Sequence, residues 1–188
     1  MKIVFPIIGI LALFMFFLLK SPSMPSYNPY RDYLDMETSI LEAFITTQDS
    51  SSIELPEGHY LFSQSLILDG KKNITLRGKG IEKTVLSFKG QKQGAEGIRI
   101  SNCKNLTIEN MSIEDATGDN LKITDSENII IRNIRSAWTG EVSTQNGAYA
   151  LYPVLCKNIL IEGCEAIGAS DAGIYVGQSQ NVTIKNNK

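Results

Sequence analysis

The chain has 188 residues, enough for one domain of medium size, and its 18 Lys and Arg residues nearly balance its 20 Asp and Glu residues. The formal net charge is −2 and no run of five like charges occurs, which argues against a nucleic-acid surface or a polybasic membrane patch. With one histidine and three cysteines that form no C-x-x-C pair, the sequence predicts neither a metal site nor a cofactor.

The first 20 residues form a hydrophobic segment. An unbroken apolar run extends from Ile3 to Leu19, between Lys2 and Lys20, and no polar face interrupts it as it would in a buried core helix. Its length reaches the lower limit for a membrane-spanning helix. The segment is either an uncleaved anchor or a signal peptide cut after Ser23. In both cases we expect an exported body, periplasmic or extracellular, with membrane contact through this segment only.

A linker and a short helix are predicted next. Residues 21–34 contain three prolines and are typical of a linker. Asp35 is a suitable N-cap for a helix over residues 35–47. The apolar residues of this segment fall on one helical face: Met36, Ile40, Leu41, Phe44 and Ile45.

The rest of the chain repeats one seven-residue phrase. The copies are KNITLRG, KNLTIEN, ENIIIRN, KNILIEG and QNVTIKN, beginning at Lys72, Lys104, Glu127, Lys157 and Gln180. Their opening asparagines are 32, 23, 30 and 23 residues apart, which a period of 23 with two insertions explains. Aliphatic residues alternate as in a strand, and the closing Asn or Gly tolerates the left-handed backbone of a corner. Such a unit cannot bury its own apolar face, so the repeat predicts a stacked solenoid.

The repeated phrase resembles the tandem repeats of right-handed parallel β-helix proteins, the pectate-lyase-like superfamily, over roughly residues 50–188. The resemblance implies an all-β, right-handed parallel β-helix solenoid over residues 35–188, with the helix at 35–47 capping its amino-terminal end. We expect the solenoid to be incomplete at its C-terminus. The resemblance also implies two ladders of stacked asparagines, one of Asn105, Asn128, Asn158 and Asn181, the other of Asn110, Asn133 and Asn186.

The three cysteines are predicted to be unpaired. Cys103 and Cys156 occupy the same repeat position two turns apart. At the spacing of adjacent strands they are separated by roughly 10 Å, which is too far for a disulfide. Cys164 falls on a core position and is expected to be a small buried apolar residue.

A candidate ligand site lies in the insertion between Ser136 and Pro153, which contains the only tryptophan. Aromatic rings beside amide and carboxylate groups suit a sugar ring, and paired carboxylates suit acid/base glycoside chemistry. Alternatively, the aromatic rings only cover the insertion and each aspartate only bonds its own turn. The predicted substrate contacts are Trp138, Glu141, Asn146, Tyr149 and Tyr152, with Asp119 and Asp171 nearby.

Two functions remain open from the sequence. The histidine and Arg-x-Lys signature of polygalacturonase-like members, the acidic cluster of pectate lyases and the Asp-Pro-His motif of alginate epimerases are absent, so no catalytic residue is assigned. The first hypothesis is a cell-envelope protein that binds or processes polysaccharide, as a lyase, hydrolase or epimerase if it is an enzyme. The second is a non-enzymatic scaffold or maturation protein that works with another exported protein.

Overall fold

The computed structural model describes residues 26–28 and 33–188. The hydrophobic run at Ile3–Leu19 lies outside the described residues, and no helix among the residues that are described is long and apolar enough to cross a membrane. One helix, α1, spans Glu37–Thr46. The strands are β1 Ser26–Asn28, β2 Tyr33–Asp35, β3 Ser52–Glu54, β4 Gly58–Leu61, β5 Gln64–Asp69, β6 Lys72–Arg77, β7 Thr84–Ser87, β8 Gln93–Ser101, β9 Lys104–Glu114, β10 Leu121–Thr124, β11 Glu127–Ala137, β12 Tyr149–Val154, β13 Lys157–Glu162, β14 Glu165–Ile167, β15 Ala172–Ile174 and β16 Gln180–Lys185.

The amino-terminal elements differ in detail from the sequence prediction. Part of the segment predicted as a linker forms β1 and β2, which pair with each other antiparallel. Asp35 is the last residue of β2, and the N-cap position of α1 is Met36. The first turn of α1 is instead fixed by Glu37, whose carboxylate accepts hydrogen bonds from the backbone N and Oγ of Ser63 at 2.7 and 2.9 Å. Ile40 and Phe44 of α1 are buried in the hydrophobic core.

The remaining strands coil into a parallel solenoid that confirms the predicted fold. The first sheet has eleven strands, in which β4, β7, β9, β11, β13 and β16 follow one another and β3, β6 and β14 pair alongside. The second sheet has the order β5, β8, β10, β12, β15. Equivalent repeat positions face each other, so that Ile108 pairs with Ile131 and Ile131 with Ile161. A coil without an insertion is therefore 23 residues long, as Ile108 and Ile131 show, and the insertion lengthens the next coil to 30 residues.

Asparagines fix the corners of the coils. Asn105, Asn128, Asn158 and Asn181 all have φ between 55° and 58°, and each amide donates to the amide oxygen of the preceding member at 2.7–2.9 Å. Asn73 begins this ladder by accepting from Asn105. In the second ladder Asn133 donates to Asn110 at 2.6 Å, and Gly163, with φ 63°, takes the next position. Asn186 has the same left-handed backbone, with φ 57°.

The core lies between the two sheets and is aliphatic along most of its length. Ile100 and Ile123 from the second sheet are fully buried, as are Ile108 and Ile131 from the first. At the amino-terminal end, the stacked rings of Phe62 and Phe88 have centroids 5.2 Å apart. The outward side chains of both sheets are therefore free to carry charge and function.

All three cysteines are free and buried. The Cys156 thiol donates to the carbonyl of Val154 at 3.2 Å, just as the Ser126 hydroxyl donates to the carbonyl of Thr124 at 2.8 Å. Burial raises the pKa of the Cys156 thiol. Cysteine thus takes the place of serine at this repeat position.

Candidate functional site

Three tyrosine rings form a cluster beside the second sheet. The ring centroids of Tyr149 and Tyr152 are 4.6 Å apart, those of Tyr149 and Tyr175 are 4.7 Å apart, and those of Tyr152 and Tyr175 are 5.5 Å apart. Tyr175 is 44% exposed and the other two are half-buried. We call Tyr149, Tyr152 and Tyr175 the tyrosine surface.

The register of the solenoid explains why Tyr152 and Tyr175 meet. Leu151 of β12 pairs with Ile174 of β15, so the residues that follow them lie side by side. Leu151 is fully buried, and alternation along the strand then turns Tyr152 outward. In the same row, Tyr152 pairs with Lys122 and Lys122 pairs with Arg99. Successive coils therefore present Arg99, Lys122, Tyr152 and Tyr175 on one outer face.

Charged groups border the tyrosine surface. The Lys122 ammonium lies 5.3 Å from the centroid of the Tyr152 ring, 3.4 Å from Glu96 Oε1 and 3.8 Å from Asp119 Oδ2. Asp119 Oδ1 also accepts a hydrogen bond from the backbone N–H of Tyr149 at 3.1 Å. One cation is thus shared between two carboxylates next to an aromatic ring.

Burial raises the pKa of the Asp119 carboxyl above its ordinary value. The Tyr149 backbone hydrogen bond and the Lys122 charge oppose this rise, while the nearby charge of Glu96 adds to it. The Asp119 side chain is only 12% exposed. The Asp119 carboxyl therefore binds a proton more readily than a fully solvated aspartate does.

The fourth acidic or basic group at the tyrosine surface is Asp171, which is exposed. The pKa of the Tyr149 phenol is raised by partial burial of its ring and by the hydrogen bond and charge of the Asp171 carboxylate. Tyr149 neighbours both predicted aspartates, since its backbone N–H donates to Asp119 and the Asp171 carboxylate raises the pKa of its phenol.

The other predicted contact residues belong to the insertion loop. Trp138 is only 7% exposed, and its indole Nε1 donates to the carbonyl of Ala116 at 2.9 Å. The amide of Asn146 donates to the carbonyl of Gly168 at 2.6 Å. Glu141 lies on the exposed loop tip, where it makes no hydrogen bond, ion pair or ring contact with the tyrosine surface in the described part of the chain. These three residues do not join the cluster.

Loop and turn contacts explain the position of Trp138. Thr139 donates from its backbone N and from Oγ1 to the Asp115 carboxylate, both at 2.7 Å, which holds the start of the insertion against the coil before it. The ring of Trp138 lies so close to Gly147 that a Cβ there would be 2.7 Å from its Cζ2 atom. Trp138 is thus a packing element of the loop base, the alternative that the sequence left open.

Sequence reasoning missed Tyr175, Lys122 and Glu96. The signal for two of them was present, because Tyr175 and Lys122 each follow the aliphatic residue, Ile174 or Leu121, that marks the late strand of a repeat. Reading one position further would have placed both beside Tyr152. Among residues 33–188 the structure shows no group of three or more His, Cys, Asp or Glu side chains that could hold a metal ion.

Comparisons with known proteins give the family. A family model described as right handed beta helix region matches residues 64–188. A Parabacteroides merdae protein assigned as a glycosyl hydrolase superposes with a TM-score of 0.55 at 15% identity, over 75% of this chain and 72% of the other.

Two further structures are more distant. An alginate lyase from a Paenibacillus species has a TM-score of 0.48 at 16% identity, over 80% of this chain and 63% of that one. A surface protein and adhesin of Streptococcus pneumoniae also gives 0.48, at 14% identity, over 88% and 59% of the two chains. No curated protein matches the sequence. Because the family model covers more than half of the sequence, the chain belongs to the right-handed β-helix family.

Proposed function

We propose that the protein binds polysaccharide through the tyrosine surface. The observation that carries this proposal is the cluster of three tyrosine rings, partly exposed and bordered by Asp171, Asp119 and Lys122. An aromatic face packs against the C–H face of a sugar ring, while carboxylate and ammonium groups bond the hydroxyls around its edge. The tyrosine surface offers both kinds of contact within a few ångströms.

The direction of a bound chain follows from the coils. Neighbouring strands lie about 4.8 Å apart, so one outward side chain is presented at each step along the solenoid axis. A glycan that lies along this axis would meet Lys122, Tyr152 and Tyr175 in turn. The flat outer face suits an extended polymer better than a single sugar.

A non-enzymatic role beside another exported protein remains the second candidate. It is favoured by the engagement of both Glu96 and Asp119 with Lys122, which leaves neither carboxylate unengaged for acid/base work. We assign no catalytic residue. Release of reducing ends or unsaturated products from a bound glycan would show processing, whereas binding without products would support the non-enzymatic role.

We also propose that the body of the chain is exported through the hydrophobic segment at Ile3–Leu19. Fractionation of cells that express the tagged full chain tests this proposal. Recovery in the cytosolic fraction would contradict it.

Truncation of one ring tests the binding site. Tyr175→Ala removes the most exposed of the three rings and should weaken retention by a soluble polysaccharide held in the gel about tenfold, a loss of ~1.4 kcal/mol. The melting temperature should change little, because Tyr175 lies at the surface. Affinity electrophoresis and thermal unfolding measure the two effects.

Ile167→Ala is the matched control for this experiment. Ile167 is equally exposed, at 45%, but belongs to β14 of the first sheet. Its truncation should leave retention unchanged. Equal retention of wild type and Tyr175→Ala would contradict the proposal that the tyrosine surface binds polysaccharide.

A further inference from the structure

We propose that the tyrosine surface selects glycans that carry no carboxylate, and that its own carboxylates exclude polyuronates. This inference rests on the proposed function and names its substrate class. It is drawn from the balance of charge around the three rings.

Three carboxylates and one ammonium group border the rings. Lys122 is the only cation in this set, and its charge is divided between Glu96 at 3.4 Å and Asp119 at 3.8 Å. Its Nζ also lies over the Tyr152 ring. A carboxylate on a ligand would have to compete with two protein carboxylates for one cation that they already hold.

Asp171 adds a further negative charge at the open edge. It is exposed, and it lies close enough to the Tyr149 phenol to raise the pKa of that group. Within residues 33–188 no lysine or arginine forms an ion pair with Asp171 at 4.0 Å or less. Asp171 therefore places a carboxylate beside any ligand on the neighbouring ring of Tyr149.

The next cation along the row lies one coil farther from the rings than Lys122. Arg99 occupies the coil beside Lys122, two steps from Tyr152. The pKa of Asp69 is lowered by hydrogen bonds from Ser101 and Asn102 and also by the charge of Arg99. Arg99 thus already acts on a carboxylate of β5, at the side of the sheet away from the rings.

A polyuronate carries one carboxylate on every sugar residue. Wherever it lies on the tyrosine surface, some of its carboxylates therefore come near the carboxylates of the protein. Bringing like charges together across an interface costs binding free energy. An acidic glycan pays this cost at the tyrosine surface and a neutral glycan does not. A neutral glycan loses no binding free energy at these groups, because carboxylates accept hydrogen bonds from sugar hydroxyls. The arrangement therefore admits hydroxyl-rich chains and rejects acidic ones.

The test uses pairs of polymers that share a backbone and differ in charge. The full chain is run in affinity gels that contain hydroxyethylcellulose or carboxymethylcellulose, β-1,3-glucan or its carboxymethyl derivative, or polygalacturonate. Wild type should be retained by a neutral member and not by its acidic counterpart. The double variant Glu96→Gln/Asp171→Asn should raise the ratio of acidic to neutral retention roughly fivefold at low salt.

Salt and a matched variant complete the design. The gain should disappear when added salt shortens the Debye length to about 3 Å, because exposed charges are then screened. Glu57→Gln/Glu82→Gln removes the same net charge from exposed positions flanking β4 and β7 of the first sheet and should give no gain.

The outcomes separate this inference from the proposed function. Stronger retention of wild type by an acidic polymer than by its neutral counterpart overturns the inference and leaves polysaccharide binding in place. An unchanged charge preference in the Glu96→Gln/Asp171→Asn variant also overturns it. No retention by any polymer removes the proposed function and the inference with it.

Discussion

Leu155 is an apolar residue with a left-handed backbone, and among the described residues no other apolar side chain has a positive φ. It has φ 56° and is 53% exposed, at a corner where the other coils place Gly70, Asn102, Asp125 and Gln178. Glycine, asparagine and aspartate tolerate this left-handed conformation, whereas leucine is crowded by its Cβ. Leu155 therefore carries backbone strain and leaves an apolar side chain in water.

Leu155→Asn should stabilise the protein by about 1 kcal/mol, because asparagine relieves the left-handed strain that leucine bears. Urea unfolding measures the difference. Leu155→Ala is the control, since alanine keeps a Cβ in the same conformation and should stay close to wild type or below it. A Leu155→Asn variant less stable than wild type would show that the leucine side chain contributes contacts that outweigh the strain.

A row of alternating charges along the first sheet links its strands. Glu109 of β9 lies between Arg77 of β6 at 2.5 Å and Arg132 of β11 at 2.6 Å. Its side chain is only 6% exposed. Glu54 pairs with Arg77 at one end of the row, and Lys185 pairs with Glu162 at the other. Each charged residue of this row from Arg77 to Lys185 lies four residues after an asparagine of the first ladder. One repeat therefore supplies a residue to the asparagine ladder and another to the charged row.

Glu109→Gln should cost about 2 kcal/mol at neutral pH, because charge-assisted hydrogen bonds to two arginines are lost. Burial raises the pKa of Glu109, but the bonds and charges of Arg132 and Arg77 outweigh it and the net direction is down. A lowered folded-state pKa adds stability above the unfolded pKa and loses it as pH falls through the folded value. The difference between wild type and variant should therefore be full at pH 7 and shrink below about pH 4.3.

Denaturant unfolding across pH checks the Glu109 prediction. Glu162→Gln is the matched control, because among the described residues Glu162 forms an ion pair with Lys185 alone, whose side chain is 51% exposed. Such exposed pairs contribute under about 1 kcal/mol. A loss that stays constant down to acidic pH would contradict an ionic origin. Equal losses in the two variants would contradict the special place of Glu109.

At the scale of the whole molecule, the solenoid could be predicted and the site only in part. The 23-residue period and the alternation of aliphatic residues are local signals, and stacking places equivalent positions together, as Asn105 and Asn128 show. The burial of Trp138 could not be predicted from its local sequence, because its indole Nε1 donates to the carbonyl of Ala116 in the preceding coil. Tyr149 and Tyr152 met Tyr175 through the same stacking, across a gap of more than twenty residues.

The most direct test of the account is to map glycan contacts residue by residue. A soluble fragment of the neutral glycan that retains the wild-type chain is titrated into isotope-labelled protein, and NMR chemical shifts are followed. The account predicts the largest changes at Tyr149, Tyr152, Tyr175 and Lys122, with the Trp138 indole N–H unchanged in its bond to Ala116. Changes centred on Trp138 and Glu141, or on the outer face of the first sheet, would contradict it.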